Sequence, residues 1–203
     1  MASNTDAAFG LRPVRQLDGS PWNGMVEQYL IPSGDGTAIY VGDLVKKEGS
    51  TGAGAAGTVV NGQDVEGMPT AIVANAGDTT LLGVVVGFLP LVTDLTVLHR
   101  AASTNRIALV CISPDVIYQI QEDSVGNDVA AGQVGNNFDL AYTAGSTTTG
   151  RSALELDSSD AAGTATAQLR LLGLSKKPGN VIGTNAVWDV LINEHFFKST
   201  TGA

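Results

Sequence analysis

Residues 186–193 read Ala186-Val187-Trp188-Asp189-Val190-Leu191-Ile192-Asn193. Trp188, Val190 and Ile192 fall on one side of an extended chain, and Val187, Asp189, Leu191 and Asn193 on the other. Successive side chains of a strand point to opposite faces, so this alternation predicts a strand with one buried, apolar face. Two other segments repeat the pattern. In 115–123, Val116, Tyr118 and Ile120 oppose Ile117, Gln119 and Gln121. In 166–174, Ala167, Leu169 and Leu171 oppose Gln168 and Arg170.

Working outward, further strands are expected at 25–31, 38–46, 70–74, 80–89, 106–112 and 137–142. They recur without long helices between them, which favours an antiparallel sheet over a parallel α/β arrangement. Glycine supplies 25 of the 203 residues. Each glycine weakens a helix by about 1 kcal/mol relative to alanine, while the abundant Val and Thr suit a pleated surface. Only 128–134 and 152–156 read as short helices. Asn61-Gly62 predicts a two-residue hairpin turn, because both residues tolerate positive φ. The stretches 49–57, 144–150 and 158–163 are small or polar and read as surface loops. The expected fold is therefore mainly β, an antiparallel barrel or sandwich with Gly-rich loops and an extended N-terminal arm. The arm spans 1–24, the β domain 25–198 and a short tail 199–203.

Composition narrows the class. A chain of this length buries about 70% of its surface, so a core forms without metal or disulfide staples. Apolar residues make up 43% and charged residues 15%, which excludes a disordered chain. The net charge of −9 argues against direct nucleic-acid partners and anionic membranes. The lone Cys111 excludes an intramolecular disulfide and a Cys-rich metal cluster. The apolar run 81–92 is broken by Gly83, Gly87 and Pro90, and is shorter than the roughly 20 residues of a membrane helix. The first residues lack the charged and apolar regions of a signal peptide. These features lead us to expect a soluble protein made in the cytoplasm.

Catalytic and cofactor motifs fit poorly. Gly52, Gly54 and Gly57 match the spacing G-x-G-x-x-G, but Thr58-Val59-Val60 follows where a dinucleotide site needs a helix. His99 and His195 belong to no recognised catalytic or zinc spacing. Cys111 sits in an apolar strand and reads as a small buried hydrophobe. The acidic groups at 122–123 and 157–160 lie in polar turns without EF-hand spacing. No catalytic residue, cofactor or metal ligand is expected; a glycan-cleaving carboxylate pair drawn from distant strands is the enzymatic alternative.

The first 24 residues differ from the rest. They show no sustained period, yet they carry Phe9, Leu11, Val14, Leu17 and Trp22. Pro13 and Pro21 bias their predecessors to extended geometry. The segment reads as an arm that lies in a groove, on its own domain, on a neighbouring subunit or on another protein. Its interface residues are expected to be Phe9, Leu11, Arg12, Pro13, Val14, Arg15 and Trp22. Arg12 and Arg15 either pair with partner carboxylates or are solvated.

The runs Asn4-Thr5-Asp6-Ala7-Ala8-Phe9-Gly10-Leu11-Arg12-Pro13-Val14-Arg15 and Asp18-Gly19-Ser20-Pro21-Trp22-Asn23-Gly24 resemble the start of head decoration, or cement, proteins of tailed bacteriophages. The likeness continues at 38–45, 110–116 and 185–193. It implies a virion structural protein with no enzymatic activity, made in the host cytoplasm and placed on the outer surface of the capsid. Its partners would be the major capsid protein and further copies of itself, as a dimer or trimer. A tail or head–tail connector component and a glycan-degrading virion hydrolase are the alternatives.

Overall fold

A computed structural model describes residues 4–48, 53–159 and 167–198. The expected tail 199–203, Gly52 of the glycine motif and most of the loop 158–163 lie outside the described residues. Fourteen strands are described. They are β1 (Arg12–Gln16), β2 (Glu27–Ile31), β3 (Leu44–Lys47), β4 (Val59–Val60) and β5 (Gln63–Asp64), followed by β6 (Ala71–Val73), β7 (Leu81–Phe88), β8 (Arg106–Cys111) and β9 (Val116–Gln121). Then come β10 (Asn137–Phe138), β11 (Leu140–Ala141), β12 (Glu155–Leu156), β13 (Leu169–Leu174) and β14 (Val187–Ile192).

The strands build two five-stranded antiparallel sheets in a sandwich-like arrangement. The first has the order β1-β9-β14-β13-β10 and the second β2-β8-β7-β3-β6. The three segments with the clearest alternation form the middle of the first sheet. Their register puts Val190 opposite Tyr118 and Trp188 opposite Ile120. On the other flank Leu171 faces Val190 and Leu169 faces Ile192, and Phe138 of β10 faces Leu169. These rows all belong to one buried cluster. Directly opposed apolar pairs are the stabilising unit of a sheet. The cluster is closed from the other side by Leu44, Leu81, Val84 and Cys111 of the second sheet. The thiol of Cys111 is free and buried, and burial pushes its pKa up.

The other face of the second sheet has its own core. Tyr29, Ile31, Val45, Val73, Leu82, Val85, Ala108 and Val110 pack together. The sheet curls until its outer strands meet: the Leu30 N–H donates to the Pro69 carbonyl at 2.9 Å, beside an isolated bridge between Leu30 and Thr70. It stops short of a closed barrel. The hairpin of β4 and β5 covers Leu30 and Ile107 with Val60 and Val65. Its turn is Asn61-Gly62, with φ of 53° and 79°, as the sequence predicts.

Three local expectations differ from the structure. The window 152–156 is extended: Ser152, Leu154 and Leu156 are buried while Ala153 and Glu155 are less so, and Glu155–Leu156 pairs with β11. The window 128–134 holds a single 3-10 turn at Ala131–Gln133. The segment 38–46 becomes a strand only from Leu44, because the Tyr40 N–H bonds the Asp43 carboxylate at 2.8 Å and holds a turn there.

The N-terminal segment is extended, as expected, but the division at 24/25 does not separate it from the domain. β1 is the edge strand of the first sheet, with Arg12 opposite Gln119 and Gln16 opposite Val116. Before it, the Ala7 N–H donates to Gln121 Oε1 at 2.9 Å and Gln121 Nε2 donates to the Thr5 carbonyl at 2.8 Å. Asn4 Nδ2 donates to the carbonyls of Val181 and Thr184. Leu11 is 2% exposed within its own core. The segment thus gains its burial from the same chain, the first of the three placements that the sequence left open.

Two outcomes are expected. Trp188→Ala removes the largest buried side chain of the shared cluster and should cost about 3–5 kcal/mol by urea unfolding. Deleting residues 1–24 strips an edge strand and Leu11 from the core. The truncated chain should lose its cooperative thermal transition, followed by circular dichroism.

Candidate interaction groove

The N-terminal strand and the end of β7 border an open groove of about 630 Å³. One wall is Phe9, Leu11, Arg12 and Pro13, with Trp22 beside them. Trp22 arrives there because the chain reverses after β1. The Gln16 N–H donates to the Ser20 carbonyl at 2.8 Å, and the Trp22 N–H to the Val14 carbonyl at 3.4 Å. The floor is Val85, Val86 and Phe88 of β7, where a bulge between Val85 and Gly87 bends the strand.

The far wall comes from the 17 residues between β7 and β8. Loops this long without regular structure are uncommon and usually functional. Two buried arginines shape it. Arg106 donates to the carbonyls of His99, Val97 and Leu89, and its guanidinium lies 5.0 Å from the Phe88 ring centroid. Arg100 donates to the carbonyls of Thr104, Thr37 and Pro32 at 2.6–2.8 Å. Neither has a carboxylate within ion-pair distance among the described residues. Carbonyl dipoles solvate these charges, and the two side chains tie the loop to the neighbouring backbone. Leu95 and Leu98 of this wall line the groove and are 74% and 51% exposed.

The corner of the groove depends on two glycines. Gly10 has φ +70°, and an added Cβ there would sit 2.5 Å from Ser152 Cβ and 2.6 Å from the Gly42 carbonyl oxygen. Gly42 has φ +101°, and its added Cβ would sit 2.7 Å from the Phe9 carbonyl oxygen. The backbones therefore touch, and the Leu11 N–H donates to the Gly42 carbonyl at 2.9 Å. Beneath them Asp43 is buried, and desolvation lifts its carboxyl pKa to about 6 against the pull of Ser152 and the Tyr40 N–H.

Of the seven interface residues expected from sequence, Phe9, Leu11, Arg12, Pro13 and Trp22 meet at this groove. Val14 and Arg15 lie outside it. Arg12 donates to Gln119 Oε1 at 2.6 Å and covers the Phe9 ring at 4.9 Å, while Arg15 reaches Asp189 at 3.4 Å. Sequence reasoning missed Arg106, Arg151, Leu95 and Leu98. The available signal was the run Val92, Leu95, Leu98, apolar at every third position in a segment too long for a simple turn.

Four further ionisable groups lie outside the groove. His99 stacks on Tyr40 with ring centroids 5.1 Å apart. His195 is buried and accepts the Phe197 N–H at Nδ1; desolvation and then Lys198 lower its pKa to about 4. Glu122 is buried and accepts the Trp188 indole N–H and the Val129 N–H, each at 3.0 Å. Glu155 is pushed up to about 7, first by desolvation and then by Asp6 and Asp123. Neither these carboxylates nor Asp43 lines the groove. Among the described residues no group of three His, Cys, Asp or Glu gathers around a metal-sized space, and no helix is long and apolar enough to cross a membrane.

Two measurements probe this corner. Gly10→Val should cost at least about 2 kcal/mol, since it adds backbone strain to the overlap with Ser152. Asp43 binds its proton more tightly folded than unfolded, so stability falls as pH rises from about 4 through 6. Asp43→Asn should remove that fall, making the variant less pH-sensitive than the parent by on the order of 3 kcal/mol between pH 4 and pH 7. Urea midpoints at the two pH values give the comparison.

No protein-family model, curated protein or solved structure matches the chain.

Proposed function

We propose that this protein is a structural component of a tailed-bacteriophage head, bound to the outer surface of the capsid and bridging neighbouring shell subunits. The observation that carries the reading is that the N-terminal run resembling phage decoration proteins forms one wall of an open apolar groove. Aromatic and aliphatic side chains in a concave site contribute most of the energy of a protein interface. Phe9, Pro13, Trp22, Leu95 and Leu98 supply such anchors on a rigid backbone, so little ordering cost opposes binding.

The mechanism is addition of interface, without chemistry. The domain docks as a folded unit; its N-terminal strand stays in its own sheet and presents its outer side to the shell. The major capsid protein is the partner, and many copies, singly or as a dimer or trimer, spread load across the lattice. The acidic surface suits the outside of a shell, away from packaged DNA.

Purified heads should contain the chain in numbers comparable to the shell subunit, by quantitative mass spectrometry. Stripped shells should rebind it, and Leu95→Asp with Leu98→Asp should weaken rebinding at least tenfold while leaving the unfolding midpoint unchanged. Absence from heads, a few copies confined to the tail or portal, or undiminished rebinding by the double variant would each reject the reading.

A further inference from the structure

The charge around the groove is one-sided. The chain carries 20 acidic and 11 basic residues, yet three arginines and no carboxylate line this site. Arg106 is 3% exposed, and its Nε has no hydrogen-bond partner among the described residues. Only carbonyl oxygens and the Phe88 ring meet its other nitrogens. Arg12 and Arg151 stand exposed at the rim, and no carboxylate of the described residues lies within 4 Å of either. Between them the surface is apolar. The Arg106 charge is met by carbonyl dipoles and by no counter-ion among the described residues, so it adds to the positive field of Arg12 and Arg151 in the adjoining cleft.

From this we infer that the groove binds an extended segment of another protein in which apolar side chains alternate with carboxylates. The apolar side chains fill the space over Val86, Phe88 and Trp22. The carboxylates meet Arg12 and Arg151 at the rim and face the buried charge of Arg106. Guanidinium groups hold carboxylates in bidentate pairs, which fixes register as well as sign. A second copy of this chain fits less well, because two bodies of charge −9 repel as they approach. The inference stands without the phage-head reading, since any partner offering such a segment satisfies it.

The full chain is titrated with a synthetic peptide of alternating leucine and glutamate, and with leucine–lysine and serine–glutamate controls. Binding is read by tryptophan fluorescence and by calorimetry. Trp22 lines the groove while Trp188 is fully buried, so occupancy reports through Trp22. The leucine–glutamate peptide should saturate the signal. Both controls should bind at least tenfold more weakly, and higher salt should weaken the leucine–glutamate complex. Arg151→Glu, at an exposed position, should lower affinity for that peptide severalfold and raise it for the lysine control. Equal or tighter binding of the lysine peptide overturns the inference. So does saturable binding that leaves Trp22 unchanged, or an Arg151→Glu variant with unaltered preference. Concentration-dependent self-association that perturbs Trp22 would also overturn it, by making a second copy the occupant.

Discussion

The structure depends on one shared apolar face. β9, β14 and β13 each turn every second side chain the same way, and antiparallel register stacks these into rows from Tyr118 through Val190 to Leu171, and from Ile120 to Trp188. Leu44, Leu81, Val84 and Cys111 close over these rows from the second sheet. A slip of one residue in any strand would send its apolar set to the opposite face, so burial fixes the register more firmly than the ladder hydrogen bonds do. The N-terminal strand joins the same core through Leu11.

Several polar groups in this interior are answered by specific partners. The Trp188 indole N–H and the Val129 N–H both bond Glu122. Arg100 and Arg106 replace water with backbone carbonyls. Such an arrangement is costly to break, because removing one partner strands the other in a low-dielectric site. The groove's far wall is therefore not an ordinary flexible loop. Its shape is set by two charges whose guanidinium groups are met by six backbone carbonyls.

The sheets were legible in the sequence where periodicity is local. Trp188, Val190 and Ile192 declare their face within eight residues, and Asn61-Gly62 declares its hairpin within two. β1 was not read as a strand, because its partner lies about a hundred residues away and Pro13 interrupts it. Proline is tolerated in an edge strand, where the missing N–H faces away from the ladder, and that is where Pro13 sits. The window 152–156 was misread because Ser152, Leu154 and Leu156 alternate over too short a span to outweigh neighbouring helix formers. The groove was half legible. Phe9, Leu11, Pro13 and Trp22 are conspicuous as large apolar groups in a segment without period. Arg106, Arg151 and Leu98 come from other parts of the chain, and only the folded arrangement brings them to one cleft.

The topology has a bearing on synthesis. All five strands of the curled second sheet fall between Glu27 and Cys111, so that layer is complete in sequence before β9 begins at Val116. The other sheet has its edge at Arg12–Gln16 and its central strand at Val187–Ile192. Vectorial translation therefore finishes one layer early, and β1 waits for its partner β9 until Gln121 and for the completed sheet until Ile192 has been made. Until β13 and β14 arrive, the inner face of the finished layer lacks its full cover, which leaves the nascent chain open to misassociation over that interval.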